Sequence, residues 1–409
     1  MLDIKLLRDQ PDLVKSGVMA KGFRPELVDE IKDLDSRRRQ ILGQVEQLRG
    51  RRNLLTKDQI EEGKKLKVEL KSLEADLEKI TAEFDAKFSL LPNLPSADTP
   101  VGKSEAENRE IKKWGTPRQF DFPAKDHLQL GRDLGILDFD TGAKVTGSQF
   151  YFLYDGGALL ELALTQYALS FLKKKGFTPV ITPDLAKSRF YLGTGYAPKG
   201  DEAQTYTIEG QDLGLIATAE VTLAGKHADE VIPGDQLPLK YAGYSHCFRQ
   251  EAGTYGKYSR GLYRVHQFAK VEMFIYCLPG DSEKFHQEIL GLEETICQEL
   301  GLPYRVLQMC SGDLGAMAAK KYDVEVWMPG RGDYGEVTST SNCTDYQARN
   351  LNIRYKSKSG SGFVHMLNGT AVVMSRIPLA ILENYQQADG SVTIPEVLRP
   401  YTGFDRITR

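Results

Sequence analysis

The chain has 409 residues, enough for about two or three domains and a large buried core. A formal net charge of -3 excludes a general affinity for nucleic acid, so an RNA partner would need a local basic patch. The five cysteines are scattered without a C-x-x-C pair; reduced thiols are expected, with no zinc and no disulfide framework.

Residues 1–24 read as one short helix and a turn. The opening MLDIKLLRDQPD is charged and has no apolar h-region, so no secretory signal is expected. A heptad pattern follows. Leu27, Ile31, Leu34, Arg38, Ile41, Val45, Leu48, Arg52 and Leu55 alternate steps of 4 and 3, and so do Leu66, Leu70, Leu73, Leu77, Ile80 and Phe84 after a break around Asp58–Gly63. The spacing predicts an antiparallel helical hairpin, a coiled coil over about 26–90, whose first helix reaches roughly 43 Å at ~1.5 Å per residue. From Ser36 to Lys71 it carries eleven Lys or Arg against five acids, a net +6. A basic rod can clamp an RNA backbone, although a solvated coiled-coil surface is the commoner fate of such charges. Arg38 and Arg52 on the seam are odd for pure packing, though their stems can snorkel outward.

The prolines of Leu91–Ser96 end the arm, which sets a first domain at 1–95 and a second at 96–409. In the second domain a helix is predicted from Leu159 to Lys175 with Gly176 as its cap. Its apolar stretch contains Glu161 and Gln166 and would span a membrane poorly, so a cytoplasmic protein without a membrane partner is expected. Strands are predicted at Thr178–Thr182, Lys240–Phe248, Gln267–Cys277, Val324–Met328 and Gly362–Met366. Together they predict an α+β class: the helical hairpin, then a mainly antiparallel sheet flanked by helices.

The stretch from Cys247 to Met273 carries the most chemistry. It reads as a strand ending in Arg249-Gln250-Glu251, a loop with Gly253, Gly256 and Gly261, and a returning strand through Phe268 to Glu272. A glycine-rich loop can fold closely over a flat ligand, Lys257, Arg260 and Arg264 suit a polyphosphate, and Phe268 offers a face to a base. Arg249 can fork onto a phosphate or a carboxylate as lysine cannot. A charged surface hairpin would be the plainer account of these residues taken singly. Further on, an apolar strand through Thr370 delivers Arg376 to the start of a helix. Neither G-x-x-x-x-G-K-[ST] nor G-x-G-x-x-G occurs, so no P-loop or Rossmann nucleotide site is indicated.

The segments FRQEAG and RGLYRVHQFAKVEM resemble motif 2 of class II aminoacyl-tRNA synthetases in the wording of the seryl-tRNA synthetase family, and NGTAVVMSR resembles motif 3. Gly157–Ser188 looks like motif 1, which implies a homodimer. The resemblance implies a bacterial-type enzyme that activates L-serine with ATP and loads it onto tRNA-Ser, with tRNA-Sec as a second candidate acceptor. It implies that Arg249 and Arg376 are catalytic. Thr218, Ala219 and Glu220 would bind the amino acid with Arg249, while Glu272 and Thr370 read the serine hydroxyl. A site that hydrogen-bonds a hydroxyl rejects the analogue lacking it by up to ~10⁴-fold or more. The ATP site would comprise Arg249, Gln250, Glu251, Arg264, Phe268, Glu336, Val337, Thr338, Ser339 and Arg376. Phe268 would take the adenine face, and Gln250, Val337 and Thr338 would give backbone contacts. Mg²⁺ would sit on Glu336 and Ser339, as hard oxygens suit that ion. The family usually has glycines where this chain has Ala371 and Ser375, a change expected to narrow the pocket. The arm looks about three or four turns shorter than usual. Two other readings are a homologue that loads a carrier protein, a type that lacks the arm, and an inactive RNA-binding paralogue, which the intact charged set argues against.

Overall fold

The computed structural model describes residues 1–56, 58–196, 205–251 and 261–409. Lys57 of the arm, and Gly253, Gly256, Lys257 and Arg260 of the glycine-rich loop, lie outside the described residues. The chain divides into two compact units, Met1–Pro95 and Ser96–Arg409.

The first unit opens with two helices where one was expected, α1 (Ile4–Asp9) and α2 (Pro11–Ala20). Pro11 has no N–H and restrains the residue before it, so the chain breaks at Gln10 and restarts with proline at the tolerated first position. The heptads then form α3 (Glu26–Asn53) and α4 (Ile60–Phe88). Lys87 meets Glu30, Arg38 lies over Phe84, Arg49 meets Glu74 and Arg51 meets Glu62, so the helices run antiparallel. The break falls at Leu54–Gln59, earlier than predicted. Gln59 Oε1 accepts from Thr56 N at 3.0 Å, and Glu61 and Glu62 then sit in the first turn of α4, where the helix dipole favours acids. Gly63 is helical. Arg38 is not a packing fault. Its guanidinium stacks 4.5 Å from the Phe84 centroid and donates to Asp35. Asp35 also accepts twice from Arg8, which holds its carboxyl below the usual range although burial opposes this. Arg52 is exposed.

The second unit is built on an eight-stranded sheet among the described residues. Its strands are β1 (Arg109–Trp114), β2 (Thr178–Ile181), β3 (Leu239–Phe248), β4 (Gln267–Cys277), β5 (Tyr304–Gln308), β6 (Lys320–Met328), β7 (Asp333–Asn342) and β8 (His365–Val373). They lie in the order β1-β5-β6-β7-β8-β4-β3-β2, and every neighbour is antiparallel except β2 beside β3. The helices that matter for the site are α5 (Asp155–Lys174), α6 (Glu220–Gly225), α7 (Ser282–Glu299) and α8 (Arg376–Asn384). Gly176 takes φ +87° just past α5, the left-handed cap its position predicts.

One face of the sheet is the core. Val271, Met273 and Ile275 of β4 pack with Leu160 and Leu164 of α5 and with Ile289 and Ile296 of α7. Gly369 lets α7 approach β8 closely, since a Cβ there would lie 2.3 Å from Ile289 Cγ2. The opposite face presents Phe268, Lys270 and Glu272 from β4 and Asn368 and Thr370 from β8, because alternate strand residues share a side. The predicted strand Gly362–Met366 is two strands. Gly360–Phe363 pairs with Arg354–Ser357 in a small separate sheet, and β8 starts at His365 after the break at Val364. Edge strand β1 (REIKKW) is exposed throughout and lacks the alternation that would have marked it.

Candidate active site

Strands β3 and β4 pair in register from Leu239↔Tyr276 to Phe248↔Gln267. Arg249 and Glu251 therefore leave one strand end beside the point where Phe268 enters the other. Arg249, Glu251, Arg264, Phe268, Glu336, Val337, Thr338, Ser339, Thr370 and Arg376 line one cleft, together with Tyr263, Lys270 and Ser375.

One end is a set of ion pairs. Arg264 Nη1 meets Glu251 Oε2 at 2.5 Å. Arg376 Nη1 lies 3.0 Å from both the carboxylate and the carbonyl oxygen of Glu336, while its Nε donates to the Tyr263 carbonyl at 3.2 Å. Its guanidinium is 4.7 Å from the Tyr263 ring centroid, and that of Arg249 is 5.3 Å from the Phe268 centroid. Burial would raise the Glu336 carboxyl, but Arg376 and then Lys321 outweigh it and hold the group well below its usual range. Asp323, facing Ser339 across β6 and β7, moves the other way. Burial raises it, and Glu336 adds to that rise against the pull of Lys321 and Ser339.

Two β-bulges arrange these residues. Glu336 and Ser339 are three positions apart, and a regular strand would put them on opposite faces. The register between β6 and β7 slips at Val337, so both oxygens line the same cleft. A carboxylate and a hydroxyl converging there match the hard donor set that Mg²⁺ takes beside phosphate oxygens. Thr338 is turned below the sheet, donating from Oγ1 to Glu293 Oε2 at 3.1 Å, so its side chain does not enter the cleft. Gln250 points aside, with Nε2 donating to the Thr205 carbonyl at 3.1 Å. A second bulge, at Ala371, lets Val373 line the cleft three positions past Thr370, while the Ala371 methyl, next to Thr370 on the strand, lies in the core. Ala371 therefore does not narrow the cleft, contrary to expectation, while Ser375 does line it.

The other end is buried and polar. Thr370 and Glu272 face each other across β8 and β4, and Thr370 Oγ1 lies 3.3 Å from Glu272 Oε2. Glu220 starts α6 with Thr218 Oγ1 accepting from its N–H at 3.2 Å. Ala219 is wholly buried against the sheet, so only its backbone can face a ligand. The Glu220 carboxylate accepts from Gln347 Nε2 (2.7 Å), Asn368 Nδ2 (3.0 Å) and Tyr196 OH (3.1 Å). Burial, and then the charge of Glu272, push the Glu220 carboxyl up to about 7 against these partners.

Sequence reasoning missed Lys270, Tyr196, Gln347 and Asn368. Lys270 and Asn368 each stand two positions before a named residue on a strand, so period-two spacing could have found them. Nothing local marks Tyr196 or Gln347.

The whole chain bears on which family this is. Residues 205–385 match the tRNA synthetase class II core domain (G, H, P, S and T). Residues 1–95 match the seryl-tRNA synthetase N-terminal domain. A serine–tRNA ligase of Dictyoglomus turgidum is 52% identical, aligned over 100% of this chain and 99% of its own. One of Treponema denticola is 48% identical over the full length of both. The crystal structure of seryl-tRNA synthetase from Pyrococcus horikoshii complexed with ATP superposes with a TM-score of 0.94 at 41% identity, covering 100% of this chain and 99% of that one. With fold and site of the class II kind, the chain belongs to the seryl-tRNA synthetase family.

Proposed function

We propose that this protein is a serine–tRNA ligase. It forms seryl-adenylate from L-serine and ATP and passes the seryl group to the 3′ end of tRNA-Ser. The observation that carries this reading is the cleft lined by Arg249, Arg376, Glu336 and Thr370, with Glu272 against the Thr370 hydroxyl. The serine carboxylate attacks the α-phosphorus of ATP, the bond to the β-phosphate bridging oxygen breaks, and pyrophosphate leaves. Arg249 orients the carboxylate against the α-phosphate, and Arg376 balances charge developing on the phosphates. Phe268 stacks the adenine. Arg264 is released from Glu251 to meet the triphosphate. Thr218 and Glu220 take the serine ammonium, and Glu272 and Thr370 the hydroxyl. The terminal ribose hydroxyl of the tRNA then attacks the seryl carbonyl, and AMP leaves. Glu336 and Ser339 would hold Mg²⁺, which supplies further neutralisation of phosphate charge.

The basic arm is the proposed contact with tRNA. A loader of carrier proteins would lack it, and residues 1–95 match the seryl-tRNA synthetase N-terminal domain instead. We further propose a homodimer through the motif 1 region, where Leu162 of α5 is 62% exposed and Ile181 of edge strand β2 81% exposed. The proposed location is cytoplasmic; among the described residues no helix is long and apolar enough to cross a membrane.

ATP–pyrophosphate exchange across the amino acids tests the reading. Serine alone should support it, and exchange with another amino acid in its place would refute it. The acceptor is tested by replacing Val45–Leu77 with a short Gly-Ser turn. This cut removes facing halves of the seam, whereas one from 36 to 71 would leave Leu73 and Leu77 without the residues they pack on. Serylation of tRNA-Ser should be lost and exchange retained. Equal loss of both would sink the proposed role of the arm.

A further inference from the structure

Glu272, the carboxylate proposed to read the serine hydroxyl, has a partner that no role above uses. Lys270 precedes it by two positions on β4, so both side chains stand on the same face of the sheet. Lys270 Nζ lies 2.5 Å from Glu272 Oε2, with the two side chains 7% and 2% exposed. The same ammonium is 3.5 Å from Thr370 Oγ1, which in turn lies 3.3 Å from Glu272 Oε2. Three side chains thus close a small buried triangle whose contacts on the carboxylate, among the described residues, fall on one oxygen.

We infer that Lys270 is a positioning and specificity-determining residue: by engaging Oε2 of Glu272 together with Thr370, it presents Oε1 to the substrate hydroxyl. This rests on the reading that Glu272 contacts serine. The chemistry is that of a charge in a confined place. A buried carboxylate that loses its cation is strongly destabilised. It answers by swinging toward other donors or by taking up a proton. A protonated carboxyl donates as well as accepts, so it no longer demands a hydroxyl donor from the substrate. Glu220 adds a second carboxylate nearby, which makes a compensating cation at this end more necessary. Lys270 also borders the phosphate cleft, so a direct role on ATP is the competing account.

The two accounts part in pyrophosphate exchange with full-length protein. For Lys270→Met, the serine KM should rise by about 30- to 100-fold and the preference for serine over alanine fall by about tenfold or more. The ATP KM and kcat should change by less than about fivefold. The decisive comparison is Glu272→Gln against the Lys270→Met/Glu272→Gln double variant, in which neither member of the pair is left charged without the other, so it is better able to fold than Lys270→Met; thermal unfolding checks this. If Lys270 acts through Glu272, the double variant should match Glu272→Gln within about threefold in serine KM. A further drop of about tenfold on removing Lys270 from the Glu272→Gln protein would overturn the inference while leaving Glu272 as the serine contact. So would a loss confined to kcat or the ATP KM. A normal serine KM in Glu272→Gln would overturn both the inference and the reading beneath it.

Discussion

The two ends of the cleft are built in opposite ways. At the proposed serine end, Glu220 is held by neutral donors from Gln347, Asn368 and Tyr196, and Glu272 by Thr370 and a buried lysine. At the proposed phosphate end, Arg264 and Arg376 are engaged by Glu251 and Glu336, whose side chains are partly open to solvent. A small ligand entering the first end finds its acceptors already aimed and breaks no ion pair to reach them. A polyanion entering the second competes with carboxylates for the arginines. The difference teaches where selectivity and where charge handling reside. Fixed, desolvated hydrogen bonds discriminate between similar small molecules. Exchangeable ion pairs keep arginines oriented without committing them.

The comparison breaks most visibly at Arg376. Arg376→Ala removes the proposed phosphate contact and leaves Glu336 without its nearest cation. Exchange should fall about 10²- to 10³-fold in kcat, the scale of losing one charge-stabilising donor. Near-normal exchange would mean that this arginine does not meet ATP. Next in size is Asn368→Ala, which strips one donor from Glu220. Hydrogen bonds to charged groups contribute about 1.5–3 kcal/mol, so the serine KM should rise roughly 10- to 100-fold with the ATP KM unmoved. A matching rise in both constants would erase the distinction between the ends.

How much of this was legible in the sequence follows the same division of physics. The arm was readable because a seam of two helices repeats every seven residues, and even Arg38 lay where the heptad put it. Its role there was not readable, because Asp35 and Arg8 come from a neighbouring turn and a separate helix. Motif residues on β3, β4 and β8 could be assigned to one face by alternation. Glu336 and Ser339 could not, since only the bulge at Val337 brings them to one side, and a bulge leaves little trace in residue type. Ala371 is the opposite case, since plain alternation with Thr370 already turns its methyl to the core. Gln347 and Tyr196 reach Glu220 from elements distant in sequence, and no local pattern announces such a contact.

A pH titration sharpens the comparison further. Glu220 is raised to about 7 from an ordinary value of 4.5, chiefly by burial. The empty protein therefore holds a proton there below about pH 7, and a substrate ammonium requires the carboxylate. Serine affinity should be full above about pH 7 and fall as pH drops through it, by up to about tenfold per unit. The stability of the empty protein runs the opposite way. Because the folded state binds the extra proton between 4.5 and about 7, this group's contribution to stability declines as pH rises across that window and is level above it. In Glu220→Gln the pH limb of the serine KM should vanish, and the ATP KM should follow pH as it does in the unaltered protein.

The smallest effect concerns salt. Ion pairs that are partly exposed weaken as the screening length shortens from about 10 Å at 0.1 M to about 3 Å at 1 M. Raising the salt loosens the attraction of Arg264 and Arg376 for phosphate, and it also loosens Glu251 and Glu336, which compete for them. The two changes partly cancel, so the ATP KM should rise only a few-fold over that range. The serine KM should move less than the ATP KM, because its contacts are short, buried and mostly to neutral donors. If instead the serine KM proved the more salt-sensitive of the two, the charges at that end would be reached by solvent ions. Discrimination by desolvated hydrogen bonds would then lose its physical basis.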